Sequence, residues 1–276
     1  MIATLNASLI DRLRRAQHLA VFTGAGMSAE SGIPTFRDRL TGLWAHTDPT
    51  EVATPQAFRR DPQRVWDWHV HLASTVGAAQ PNAGHKAIAE LAGKLPRVSV
   101  VTQNIDSLHQ AAGSRDVIEL HGNLFRLKPF IDEDAAFAAA EPPVICRVCD
   151  GYAAWRDCDP WASREDFARL RLAAGPVPCC PCCGARLRPD VVWFNEMLEP
   201  QVLDAAMNAV DACDAMLCIG SSLEVEPAAS LPWRALRRGA TVIEINPQPT
   251  TLTPHVPSFP GTAAQVLPQL LAMVWN

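Results

Sequence analysis

His18-Leu-Ala-Val-Phe-Thr-Gly-Ala-Gly26 is an apolar, β-forming run that ends in a glycine turn. A run of this kind, without polar alternation, reads as a strand buried on both faces. A glycine turn at the carboxyl end of such a strand lets backbone amides approach a phosphate group closely. Alone the turn is a weak signal. Ala29 stands at the third position of a G-x-G-x-x-G pattern, and no acidic residue plainly ends a second strand. A structural strand–helix corner also uses glycine for its conformational freedom.

Working outward, similar apolar runs recur at 98–102, 117–120, 215–219 and 241–245. Helix-like segments at 82–94, 106–112, 202–213 and 227–238 separate them, and 7–17 carries Leu9, Ile10, Leu13 and Ala16 on one helical face. Short buried strands alternating with helices predict an α/β fold, a Rossmann-like doubly wound parallel sheet. The alternation breaks between about 125 and 190, where eight prolines crowd together with seven of the nine cysteines. The expected domains are therefore 1–124 with 190–276 as the Rossmann-like part, and 125–189 as a small inserted module. A helical and loop insert is expected over about 34–80, and its proline-rich part, roughly 34–63, is expected to form a loop with short helices over a pocket.

The chain has 276 residues, 48% of them apolar, and 24 basic against 29 acidic residues give a net charge of −5. That composition excludes general disorder. The acidity and the lack of a basic–aromatic stripe argue against a nucleic-acid-binding module. No apolar run approaches the roughly 18 residues of a membrane span. The opening residues lack the layout of a secretory signal, so a cytoplasmic location is expected. Clustered cysteines in such a compartment point to metal rather than disulfides. Cys146-x-x-Cys149 and Cys180-x-x-Cys183, thirty residues apart, have the spacing of a four-thiolate structural zinc site holding one ion. Cys179 and Cys182 offer an alternative register. Pro181 and Gly184 favour Cys180 and Cys183, because a tight knuckle turn needs such residues there. Cys158, Cys179 and Cys182 then have no assigned task, and Cys213 and Cys218 read as ordinary core residues.

Further motifs accompany the glycine turn. They are Gly24–Asp38, Thr102-Gln-Asn-Ile-Asp-Ser-Leu-His109, Glu119-Leu-His-Gly-Asn123, the two cysteine knuckles, Arg188-Pro-Asp-Val-Val-Trp-Phe-Asn-Glu196, Gly220-Ser-Ser-Leu-Glu-Val-Glu-Pro227 and Ile245-Asn-Pro247. Taken in this order, they resemble the signatures of the sirtuins, the NAD-dependent protein lysine deacylases, bacterial type. The resemblance implies removal of an acyl group from lysine with cleavage of NAD, giving nicotinamide, O-acyl-ADP-ribose and free lysine. It assigns the general base to His121, a role imidazole can fill near neutral pH. Gln103, Asn104 and Asp106 would surround the nicotinamide and its ribose, although Asn104 or Asp106 could also simply cap the next helix. Gly24, Ala25, Gly26, Glu30, Phe36, Arg37, Gly220, Ser221, Ser222 and Asn246 match cofactor-binding positions. Val192, Trp193, Phe194, Asn195 and Glu196, with Leu223, Glu224 and Val225, would flank an acylated-lysine peptide added as an extended strand. Asn195 replaces a glycine common there. A monomer is expected. The rival on the same fold is an NAD-dependent ADP-ribosyltransferase or NAD hydrolase, against which His121 and the peptide segment both count.

The segments Gly42-Leu-Trp44, Ala53-Thr-Pro55 and Val65-Trp66 look most like class III sirtuins, which read acidic acyl groups through a Tyr-x-x-Arg pair. Here His69 and Leu72 occupy those positions, and the chain's one tyrosine, Tyr152, lies inside the cysteine-rich module. No bidentate partner for an acyl carboxylate remains. Weak action on succinyl or malonyl lysine and better action on acetyl or other neutral acyl groups are expected.

Overall fold

In the computed structural model, residues 6–35, 48–130, 176–179 and 184–276 are described. They divide into two units. One comprises 1–38, 79–121 and 198–276, and the other 39–78 and 122–197.

The first unit is built on a parallel six-stranded sheet of order β3-β2-β1-β6-β7-β8. Its strands are β1 (His18–Thr23), β2 (Arg97–Thr102), β3 (Val117–Glu119), β6 (Ala215–Ile219), β7 (Thr241–Ile245) and β8 (Ser258–Phe259). All of β1 and β6 is buried, as the unbroken apolar runs require. Leu19 and Val21 of β1 point to one face, where they join a core with α1 (Ala7–Arg15), α5 (Ala83–Leu91) and the C-terminal α9 (Ala263–Trp275). Within that core lie Leu13, Ile88, Leu91, Leu217, Ile243 and Leu270. On the other side α7 (Pro200–Ala212) contacts β1 and β3, and α8 (Ser230–Arg237) contacts β6 and β7. Helices on both faces of a parallel sheet are the doubly wound arrangement. The strand order reverses between β1 and β6, so the carboxyl ends of these two strands bound a topological switch point.

The second unit contains α2 (Pro49–Val52), α3 (Pro55–Arg60), α4 (Pro62–Ala78) and an antiparallel pair, β4 (Gly122–Pro129) with β5 (Leu187–Val191). Asp48 and Thr54 cap α2 and α3 through their side chains, and a proline follows each cap. Phe58 is 1% exposed and packs on Phe130 and Trp193. A Cβ at Gly122 would lie 2.0 Å from the Asp190 carbonyl oxygen, so the start of this pair admits only glycine. Neither β4 nor β5 shows the apolar periodicity that marks the six-stranded sheet. Among the described residues, no helix is long and apolar enough to cross a membrane.

Candidate functional site

The glycine turn after β1 lies against the corresponding turn after β6. A Cβ on Gly26 would approach the Gly220 Cα to 2.8 Å, and one on Gly220 would reach the Met27 amide at 2.5 Å. Gly26 N–H donates to the Gly220 carbonyl at 2.9 Å. The glycines therefore let two loops meet backbone to backbone at the switch point. Instead of a long helix, two short 3-10 turns follow, Ala25–Met27 and Ala29–Ser31. Ala25 is exposed on this rim.

The segment after β2 interlocks with those turns. Asn104 Nδ2 donates to the Gly24 carbonyl and to Ser28 Oγ, both at 3.1 Å. Ser28 Oγ in turn donates to Asp106 Oδ2 at 2.6 Å. The other oxygen, Oδ1, accepts the Leu108 amide at 2.9 Å, the first amide of α6 (Leu108–Ala111), whose N-cap position is Ser107. Gln103 Nε2 donates to Ser221 Oγ at 2.9 Å, and Asn246 Nδ2 donates to the Ser221 carbonyl at 2.8 Å. Asn104, Ser28 and Asp106 thus form one hydrogen-bonded set and Gln103, Ser221 and Asn246 a second, together a polar rim along the carboxyl ends of the parallel strands. Ser222 is half-buried beside them in sequence. Sequence reasoning passed over Ser28, although it lies inside the glycine segment. The Glu30 carboxylate accepts the Ala264 amide at 2.9 Å in the first turn of α9, where an acidic group suits the helix dipole.

His121 follows β3. Its Nδ1–H donates to the Gln103 carbonyl at 3.0 Å. A carbonyl only accepts, so this bond fixes the tautomer and leaves the Nε2 lone pair open. Burial lowers the imidazole pKa, and the Gln103 carbonyl opposes that shift only in part. The ring is accordingly neutral at pH 7, the form in which it can take a proton.

In the second unit, His69 on α4 is 2% exposed. Its Nδ1–H donates to the Val65 carbonyl at 2.8 Å, and its Nε2 accepts the Trp193 indole N–H at 3.1 Å. Both nitrogens are consumed, and burial depresses its pKa to about 4. Leu72 is half-buried, and His71 is exposed. In the segment 192–196, Trp193 is buried, Phe194 is 43% exposed, and Asn195 adopts a left-handed backbone with φ 70°. In the first unit Leu223 is also left-handed, with φ 57°, while Glu224 and Val225 are exposed.

Phe36 and Arg37, the segment 42–44, and Cys146, Cys149, Cys158, Cys180, Cys182 and Cys183 lie outside the described residues. Cys179 is exposed and bridges to Arg186, and Gly184 is left-handed with φ 74°. No group of three or more potential metal ligands occurs among the described residues.

An open parallel sheet with two glycine loops meeting at its switch point defines a Rossmann-like α/β protein. The Sir2 family pattern matches residues 24–227, and the chain belongs to that family. The NAD-dependent protein deacylase 1 of Pseudomonas aeruginosa is 44% identical over 265 residues, spanning 96% of this chain and 97% of its own. The NAD-dependent protein deacylase of Methylococcus capsulatus is 44% identical over 264 residues, 95% of this chain and 94% of its own. A Sir2 homologue–NAD complex superimposes with a TM-score of 0.76 at 39% identity, covering 99% of this chain and 94% of that one. A Sir2–p53 peptide–NAD+ structure gives 0.72 at 26% identity, with 98% of each chain covered.

Proposed function

We propose that this chain is an NAD-dependent protein-lysine deacylase acting on acetyl and other neutral acyl groups, with His121 as its general base. The observation that carries this reading is the His121 tautomer. The Gln103 carbonyl holds Nδ1–H, and the bare Nε2 belongs to a ring kept neutral by burial. The polar rim fits a dinucleotide, since amide donors and a glycine-only approach lie at the switch point where such ligands bind. When bound, NAD supplies the ADP-ribosyl group that accepts the acyl as nicotinamide departs. The chain's own residues orient it. Asn104, Asp106 and Ser28 brace one another beside the glycine loop, and Gln103 and Asn246 meet at Ser221. His121 Nε2 then takes a proton from a hydroxyl brought within its reach.

Val192–Glu196 is the docking edge for an acylated-lysine peptide on this reading. The Cys146, Cys149, Cys180 and Cys183 thiolates hold a structural zinc ion, a full donor set that leaves no open position for catalysis. The protein works as a cytoplasmic monomer.

The preference for neutral acyl groups rests on His69. Its two nitrogens are already bonded, and protonation would break the bond from Trp193. His69 and Leu72 thus offer an acyl carboxylate no cation of their own, and leaving it unpaired beside them would cost several kcal/mol. The test is nicotinamide release with acetyl-, butyryl-, myristoyl- and succinyl-lysine peptides for wild type and His121→Ala. Acetyl or longer neutral chains should outrun succinyl, and His121→Ala should lose roughly a hundred- to ten-thousandfold in rate. Full deacylation by the histidine variant would refute the mechanism, and faster desuccinylation would refute the acyl preference.

A further inference from the structure

Arg188, on β5, is a buried cation that the proposed chemistry does not use. Its side chain is 3% exposed. Nη1 and Nη2 donate to the two Glu196 carboxylate oxygens at 2.5 and 2.9 Å, a fork-on-carboxylate pairing. Nη2 also donates to the Val191 carbonyl at 2.5 Å. The guanidinium carbon lies 3.3 Å from the centre of the Trp193 ring. Glu196 closes the loop, because Oε2 also accepts the Trp193 amide at 2.8 Å, and Glu196 N–H donates to the Trp193 carbonyl at 3.1 Å. The Glu196 carboxylate therefore faces its own chain rather than an incoming substrate. The Phe194 amide is taken by the Ala53 carbonyl at 3.0 Å. Among the described residues, the Val192 and Asn195 amides have no hydrogen-bond partner.

We propose that Arg188 is a positioning residue for substrate peptide: by clamping Glu196 and stacking on Trp193, it holds the 192–196 turn in the shape that pairs with the peptide backbone. This rests on the reading of 192–196 as the docking edge. Lysine at 188 would keep the charge but lose the planar fork and the stacking surface. Glu196→Gln would keep the packing and weaken the same clamp.

The experiment measures deacylation by wild type, Arg188→Lys, Glu196→Gln and the double variant. Each is assayed on an acetyl-lysine peptide and on a single acetyl-lysine residue without flanking backbone, with folding followed by circular dichroism. Each single variant should raise the peptide KM roughly tenfold, since a clamp built of charge-assisted bonds is being loosened. The NAD KM and kcat should stay within about twofold, the single-residue substrate should lose little, and the double variant should be no worse than the poorer single one. An NAD KM that rises in parallel, or an equal loss on the single-residue substrate, would overturn the proposal. If Arg188→Lys does not fold, Glu196→Gln alone decides it by the same criteria. A wild type that does not deacylate peptide at all would instead refute the proposed function.

Discussion

Asn195 shows why one departure from the family's glycine is tolerated. Its φ of 70° lies in the left-handed region, where a Cβ costs roughly 1–2 kcal/mol and asparagine is among the least penalised residues. Asn195→Gly should therefore leave the urea midpoint nearly unchanged. Asn195→Val, β-branched, should lose at least about 1 kcal/mol. An unaltered midpoint for the valine variant would mean that the turn relaxes out of this conformation. Ser107, Asn195 and Leu223 are the non-glycine residues with positive φ among the described residues, and each lies in a segment singled out from the sequence for function. Backbone strain of this kind concentrates at functional sites. The motifs themselves were legible in the residue string, whereas the dihedral that explains Asn195 was not.

At the scale of elements, β7 contains a carboxylate where its apolar run predicts only core. Glu244 is 1% exposed and accepts hydrogen bonds from the hydroxyls of Thr250, Thr253 and Ser258. Those bonds offset the desolvation of the charge and tie the segment after Asn246 back onto the sheet. Glu244→Ala would leave three hydroxyls without their acceptor. It should cost about 3 kcal/mol in urea unfolding and weaken NAD binding by titration, while Glu244→Gln should cost less because its oxygen still accepts. Equal stability of the alanine variant and wild type would rule out this anchoring role. The parallel strands were readable because each is a continuous buried run. The antiparallel β4–β5 pair was not, since Arg126, Lys128, Arg188 and Asp190 interrupt it, and these polar residues are accommodated through ion pairs.

Over the whole molecule, burial keeps histidines neutral and so sets the acid limit; among the described residues His18, His69, His85, His109 and His121 are all shifted down, three of them far enough to dominate. Burial lowers His69 and His85 to about 4 and His109 to about 3. The unfolded chain binds protons below about 6.5 while the folded one does not, so stability is full above that pH and falls as pH drops from 6.5 toward 4. Each histidine contributes up to about 1.4 kcal/mol per pH unit in that window. Urea midpoints measured from pH 7.5 to 4.5 should fall accordingly, and His69→Gln should make the fall shallower. A flat profile between pH 6.5 and 5 would contradict the assignment. The sequence by itself determined the parallel α/β sheet and the order of the motifs, because apolar periodicity and glycine turns are local properties, and the family resemblance carried by those motifs supplied the candidate base. Only the tertiary structure decided that His69 is neutral and fully bonded, that Glu196 faces inward onto Arg188, and that Glu244 is an anchor. Tautomer, pairing and burial depend on partners distant along the chain: Trp193, which occupies the second nitrogen of His69, lies 124 positions away.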